Sequence, residues 1–197
     1  MKIAFYVVHI LFLPLLSVAQ RPAQKFDVYS IPFDRINSDS IKNGVEFVDS
    51  DLSVIRVVKS TYFSGFEIKT PQGWKPHGIR YILYNGQVTS YTTYKRGIKD
   101  GEYKSFHSNG KTLFHYFYVN GLIEGNWTQY NDDESIYEEG EYKKGLKNGK
   151  FLVYYLEKGK TRGPLSTEKH YVDDKPSGIW IYYDRSGKIY SQKQMGS

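Results

Sequence analysis

Few residues in this chain of 197 are suited to chemistry. It has no cysteine, which excludes a disulfide framework, a thiolate metal site, a cysteine nucleophile and a lipid-modified cysteine at the start of a mature chain. Four histidines lie beyond the first 20 residues: His77, His107, His115 and His170. None belongs to a His-Glu-x-x-His pair or to another spacing that sets two ligands on one helix face. His107 and His115 flank Ser108-Asn109-Gly110, yet two strand imidazoles without a third ligand do not make a zinc site. Asp132-Asp133-Glu134, with Glu138, Glu139 and Glu141, offers oxygens that hard cations favour, but the spacing matches no EF-hand loop and reads as a solvated turn. Lys143, Lys144, Lys147 and Lys150 make a basic turn beside it, suited to solubility or to an anionic lipid or glycan surface. A nucleophile elbow, a phosphate-cradling loop and a dinucleotide fingerprint are all missing from the sequence. Paired carboxylates for glycoside hydrolysis are defined by separation in space, and no candidate pair stands out. The expectation is a non-enzymatic protein with no catalytic residue, no metal and no cofactor.

The elements that would position these groups are strands. The chain has 19 tyrosines and 18 glycines but three alanines, all before position 24, which excludes a helical bundle and favours β structure. Its length suits one domain that needs no staples. Residues 1–19 read as a secretory signal peptide, with Lys2, an apolar run from Ile3 to Leu16, and Ser17-Val18-Ala19 before the cut. The run is shorter than a bilayer span and holds Pro14. The expected localisation is therefore periplasmic or secreted. Losing Lys2 takes the formal charge from +6 to +5, a mild basicity that does not argue for nucleic acid. Composition changes near Pro71-Gln72-Gly73, since 16 of the 18 glycines lie at or after Gly73. The expected organisation is a β-rich N-terminal cap over 20–72 and a repeat domain over 73–197.

The repeat is legible in four copies. Gly101-Glu-Tyr103-Lys-Ser-Phe106, Gly125-Asn-Trp127-Thr-Gln-Tyr130, Gly149-Lys-Phe151-Leu-Val-Tyr154 and Gly178-Ile-Trp180-Ile-Tyr-Tyr183 share one pattern, their glycines 24, 24 and 29 residues apart. A second track keeps register: Tyr94, Tyr118, Tyr142 and Tyr171 precede the leading glycine by seven residues, and Gly97, Gly121, Gly145 and Asp174 precede it by four. A degenerate first copy runs from Gly78 to Gly86. Turn pairs such as Asn85-Gly86, Asn109-Gly110 and Asn120-Gly121 make each unit a β-hairpin, with the glycines falling at turns. The five extra residues before the last unit predict a protruding basic loop around Glu157 to Pro164. The fold class is all-β: an elongated open antiparallel meander of about five stacked hairpin repeats. Strand alternation sends the two aromatics of a unit to opposite faces, so Tyr103, Trp127, Phe151 and Trp180 should form one ring ladder and Phe106, Tyr130, Tyr154 and Tyr183 another. These eight rings are the candidate binding residues.

From Gly78 to Lys188 the chain resembles the MORN-repeat family, specifically bacterial MORN repeat variant proteins, some of which carry the label of toxin-antitoxin system antitoxins. The resemblance implies an open, curved antiparallel sheet of stacked hairpins that serves as an interaction surface without activity of its own. The leading expectation is a scaffold that presents its aromatics to a protein partner. The alternatives are attachment to an envelope lipid or glycan, an antitoxin-like inhibitor, and an envelope hydrolase. Residues 20–72 lie outside the resemblance. Val54 to Val58 and Phe63 to Ile68 read as strands, Ser38 to Gly44 as a capped helical turn, and the segment as a cap on the sheet's first edge or a layer across one face.

Overall fold

The computed structural model describes residues 28–29, 31–38, 42–44, 46–48 and 53–196. The expected signal peptide at 1–19 lies outside them. The fold is almost wholly antiparallel sheet, an open meander whose strand order follows the chain and which is not closed into a barrel. The described residues divide into two compact units, those up to 86 with 93–98 and residues 87–92 with 99–196. Pro71 and Gln72 form the β3–β4 turn described below, within the first unit.

The first unit contains α1 (Phe33–Asn37), β1 (Glu46–Val48), β2 (Val54–Lys59), β3 (Phe63–Thr70) and β4 (Gly73–Tyr84). Alternating residues of β2 and β3, including Ile55, Val57, Phe66 and Ile68, are buried with Ile31 and Ile36 from the N-terminal segment. Tyr81 Oη donates to the Ile31 carbonyl at 2.9 Å, and the Phe33 ring meets the Tyr81 ring edge-on at 5.5 Å. Residues 28–29 and 31–37 thus form a layer across one face of the strands, while β1 takes the edge beside β2. The α1 turn ends just before Ser38, and residues 39–41 of the turn expected over Ser38 to Gly44 lie outside the described residues. The Ser38 hydroxyl donates to the Arg35 carbonyl at 2.8 Å and so closes α1 where a cap was expected to open a helix.

β5 (Gln87–Lys95) contributes residues 87–92 to the second unit and 93–95 to the first. The second unit continues with β6 (Ile98–Phe106), β7 (Thr112–Val119), β8 (Leu122–Tyr130), β9 (Ile136–Lys143), β10 (Leu146–Tyr154), β11 (Leu165–Val172), β12 (Lys175–Tyr183) and β13 (Ile189–Gln194). Two-residue turns close the hairpins, and both residues of each have positive φ: Arg96-Gly97, Asn120-Gly121, Lys144-Gly145 and Asp173-Asp174. This is the primed turn whose twist matches the strands. It also stitches hairpin to hairpin. The Gly121, Gly145 and Asp174 amides donate to the carbonyls of Lys99, Ile123 and Lys147 at 2.8, 2.8 and 3.0 Å.

The leading glycines do not sit at turns. Pairing passes from Tyr118↔Ile123 to Tyr116↔Trp127, so two residues of β7 face four of β8 across Gly125. The same two-residue excess surrounds Gly149 in β10 and Gly178 in β12, whose φ values are +79° and +62°. These are bulges, where a residue without Cβ adopts the left-handed conformation cheaply. Because the excess is two, it keeps the alternation of faces. A second, one-residue bulge lies opposite the last aromatic of each copy, as at Gln129↔Glu138 followed by Tyr130↔Ile136. Phe106, Tyr130, Tyr154 and Tyr183 are each the final residue of their strand.

Candidate binding faces

Alternation gives the second unit two chemically different faces. On the ring face, Tyr103 stacks on Tyr116 with centroids 4.5 Å apart, and Tyr118 meets both edge-on. A separate run leads from Phe114 to Trp127 at 5.7 Å and from Trp127 to Tyr142 and Phe151 at 6.2 and 6.1 Å. It passes through Phe151–Tyr171 at 5.2 Å and ends with Tyr171–Trp180 at 5.4 Å. Of the expected ladder, Trp127, Phe151 and Trp180 belong to one connected run, while Tyr103 lies on the same face in a cluster of its own. The second-track tyrosines Tyr142 and Tyr171 fill the intervals of the connected run, and Tyr118 joins the Tyr103 cluster. Sequence had shown their period, and only the strand register puts them on this face.

Gly140 explains how Trp127 and Phe151 come into direct contact although two strands apart. It is the cross-strand partner of Trp127, and a Cβ there would lie 2.4 Å from the Phe151 ring. Phe151 fills that space and is fully buried. Lys147 Nζ lies 4.8 Å above the Phe151 ring and 5.1 Å above Tyr171, and Lys99 Nζ lies 4.7 Å above Tyr118. Such ammonium–ring contacts are worth about 0.5–1 kcal/mol at exposed sites. Burial, then the Tyr118 and Tyr103 phenols, raise the Tyr116 pKa, and burial raises those of Tyr142 and Tyr171, so these rings stay neutral. Apart from Phe151 the rungs are half-buried. The second unit's described residues include no helix, and its strands pack mainly on their immediate neighbours.

The opposite face is polar. Glu102 accepts from Tyr91 Oη at 2.6 Å and meets His115 Nε2 at 2.9 Å and Lys104 Nζ at 3.1 Å. Glu139 accepts from Tyr154 Oη at 2.6 Å and from Arg162 Nη2 at 2.7 Å. Glu168 pairs with Lys150 at 2.7 Å and with His170 at 3.1 Å. Burial acts to raise the Glu139 carboxyl, but hydrogen bonds from Arg162 and Tyr154 overcome it and hold the group below its ordinary value. Burial and the bond to Glu139 push Tyr154 up to about 12. Phe106, Tyr130, Tyr154 and Tyr183 are not in ring contact with one another among the described residues; Phe106 meets Tyr91 at 6.1 Å. They form no second ladder, because each ends its strand at a bulge.

The sequence clusters disperse. Asp133 shapes the β8–β9 turn by accepting from the Ser135 amide and hydroxyl at 2.9 and 2.6 Å, and Glu138 pairs with Lys169 on the ring face at 3.0 Å. Of the basic turn, Lys147 lies over rings and Lys150 is paired, while Lys143 and Lys144 are exposed. His77 is buried in the first unit, where its Nδ1 accepts from the Arg96 amide at 3.2 Å. His107 Nε2 lies 3.0 Å from the Tyr130 carbonyl and turns away from His115. Among the described residues, no group of three or more His, Asp or Glu could hold a metal ion. No protein-family model matches the chain, and no curated protein matches it.

Proposed function

We propose that this protein is an exported, non-enzymatic MORN-type binding module whose second unit offers its ring face to a protein partner. The observation that carries the reading is the run of ring contacts from Phe114 to Trp180, with the Tyr103–Tyr116–Tyr118 cluster on the same face, on a sheet that carries no packed layer among its described residues. Half-buried, neutral aromatic rings are the side chains that dominate interface energy once fully desolvated. One hairpin per repeat, with equivalent turns and bulges, supports the MORN-type assignment, and the pattern of residues 1–19 supports export. An anionic lipid or glycan surface is the second reading, supported by exposed Lys143 and Lys144 at a hairpin tip.

The test is quantitative capture from envelope and secreted fractions by the protein and by a Trp127→Ala/Trp180→Ala variant confirmed as folded by circular dichroism. The expected result is a protein enriched by the wild type and weakened by at least ~2 kcal/mol in the variant. Retention of lipid or glycan alone, released between low and high salt, would replace this reading with the second.

A further inference from the structure

We infer that the polar face of the second unit holds a binding site for a short neutral oligosaccharide, centred on Tyr130. The site is a shallow depression of about 420 Å³ over β8, β9 and β10. Asn126, Thr128 and Tyr130 line it from β8, Glu141 from β9, Lys150 from β10 and Arg162 from the β10–β11 loop. This proposal concerns the face opposite the ring ladder and does not rest on the reading above.

Three observations select the ligand class. The first is unspent hydrogen-bonding capacity. The side chains of Asn126, Thr128, Tyr130 and Glu141 have no hydrogen-bond partner among the described residues, yet all four converge on one depression. Together they offer amide, hydroxyl and carboxylate groups, the mixture of donors and acceptors that vicinal hydroxyls satisfy. The second is charge. Both cations at the site are already paired, Lys150 with Glu168 and Arg162 with Glu139, each at 2.7 Å. No unpaired positive charge is left for a phosphate or carboxylate, and the remaining charge, on Glu141, is negative. The third is an aromatic platform. The Tyr130 ring makes no ring contact among the described residues, and the negative face of such a ring suits the partly positive C–H hydrogens of a pyranose. Asn126 and Tyr130 lie four residues apart on β8, so the floor is ~13 Å long, enough for more than one sugar ring.

The inserted loop is what completes the site. Elsewhere in the second unit the β-strands on this side are joined by five-residue turns over 107–111, 131–135 and 184–188, but residues 155–164 join β10 to β11. The longer loop does not simply protrude. The Ile136 amide donates to the Thr161 carbonyl at 2.8 Å, and the Tyr155 amide to the Pro164 carbonyl at 2.9 Å, which lays the loop against the start of β9. Glu139 then grips Arg162 through both carboxylate oxygens, at 3.2 and 2.7 Å. A bidentate pair fixes the guanidinium plane, and here it makes the Arg162 side chain a wall of the depression.

The test is titration of the full protein with cellotriose, maltotriose and triacetylchitotriose, read by saturation-transfer NMR and calorimetry, with inorganic phosphate as the charged control. At least one trisaccharide is expected to bind with Kd of about 1 mM or tighter. Tyr130→Ala should weaken that binding about tenfold or more, and Asn126→Ala, at an exposed position that leaves folding intact, by about threefold or more. Trp180→Ala, on the ring face, should leave it unchanged, so loss of protein capture and loss of sugar binding are separable. The proposal is overturned if no trisaccharide saturates by about 10 mM, if wild type and both polar-face variants bind equally, or if phosphate displaces the sugar.

Discussion

Gly140 and Phe151 show how a single missing side chain organises a surface. The space left by the absent Cβ admits the Phe151 ring, which brings it against Trp127 and buries it completely. Gly140→Ala would place a carbon 2.4 Å from that ring. The expected cost is about 1–3 kcal/mol from overpacking, read as a lower urea midpoint at unchanged slope. No change would mean that Phe151 can move aside and the ring contacts are loose. Glu139 governs a second measurable property. Its folded pKa lies below the ordinary value, so its stabilisation is fully present above the unfolded pKa of about 4.3 and is lost as pH falls through the folded value. Glu139→Gln should therefore flatten the acid limb of a urea-midpoint profile relative to wild type between about pH 6 and pH 3. Parallel profiles would show that the Arg162–Glu139–Tyr154 contact contributes nothing in solution.

Hairpins are the unit in which the sequence was most informative. Paired positive φ values at Asn120-Gly121 follow directly from residue type, and so does the alternation that sets Tyr103, Trp127, Phe151 and Trp180 on one face. Lys144 has φ +51° at a position that favours Asn. Lys144→Asn is expected to stabilise by about 0.5–1 kcal/mol, and Gly145→Ala, at φ +82°, to destabilise by about 1 kcal/mol or more. Thermal or urea unfolding reads both; the same sign for the pair would contradict this assignment of the turn. The bulges were not legible. A glycine that permits positive φ at a turn is chemically the same as one that permits it in mid-strand, and Gly125 and Gly149 reveal their role only when residues on the neighbouring strand are matched to them. For the same reason the second ladder was expected and is not formed. Tyr130 and Tyr154 have the right spacing from Trp127 and Phe151, but one-residue bulges opposite them end the regular pairing. The interleaved Tyr118, Tyr142 and Tyr171 were visible as a period and invisible as a face.

At the scale of the molecule, stability in the second unit should follow local packing, because each hairpin contacts chiefly its neighbours. Phe151 and Val153 are buried near the middle of that unit, whereas every residue of β13 is exposed. Hydrogen exchange should accordingly be slowest over 149–153 and much faster over 189–194, and uniform protection would show a cooperative unit with no such gradient. The histidine, acidic and basic clusters that drew attention in the sequence prove to be spread over two faces and several turns, so the candidate site had to be found from register and not from proximity in sequence. The central claim is that the ring face meets the partner. The most direct test is hydroxyl-radical footprinting of the protein with the envelope or secreted fraction that it captures. Oxidation of Trp127, Tyr142 and Trp180 is expected to fall on binding while Tyr91 and Tyr154 on the polar face are unchanged. Protection of Tyr91 and Tyr154 with Trp127 and Trp180 unaffected would contradict it.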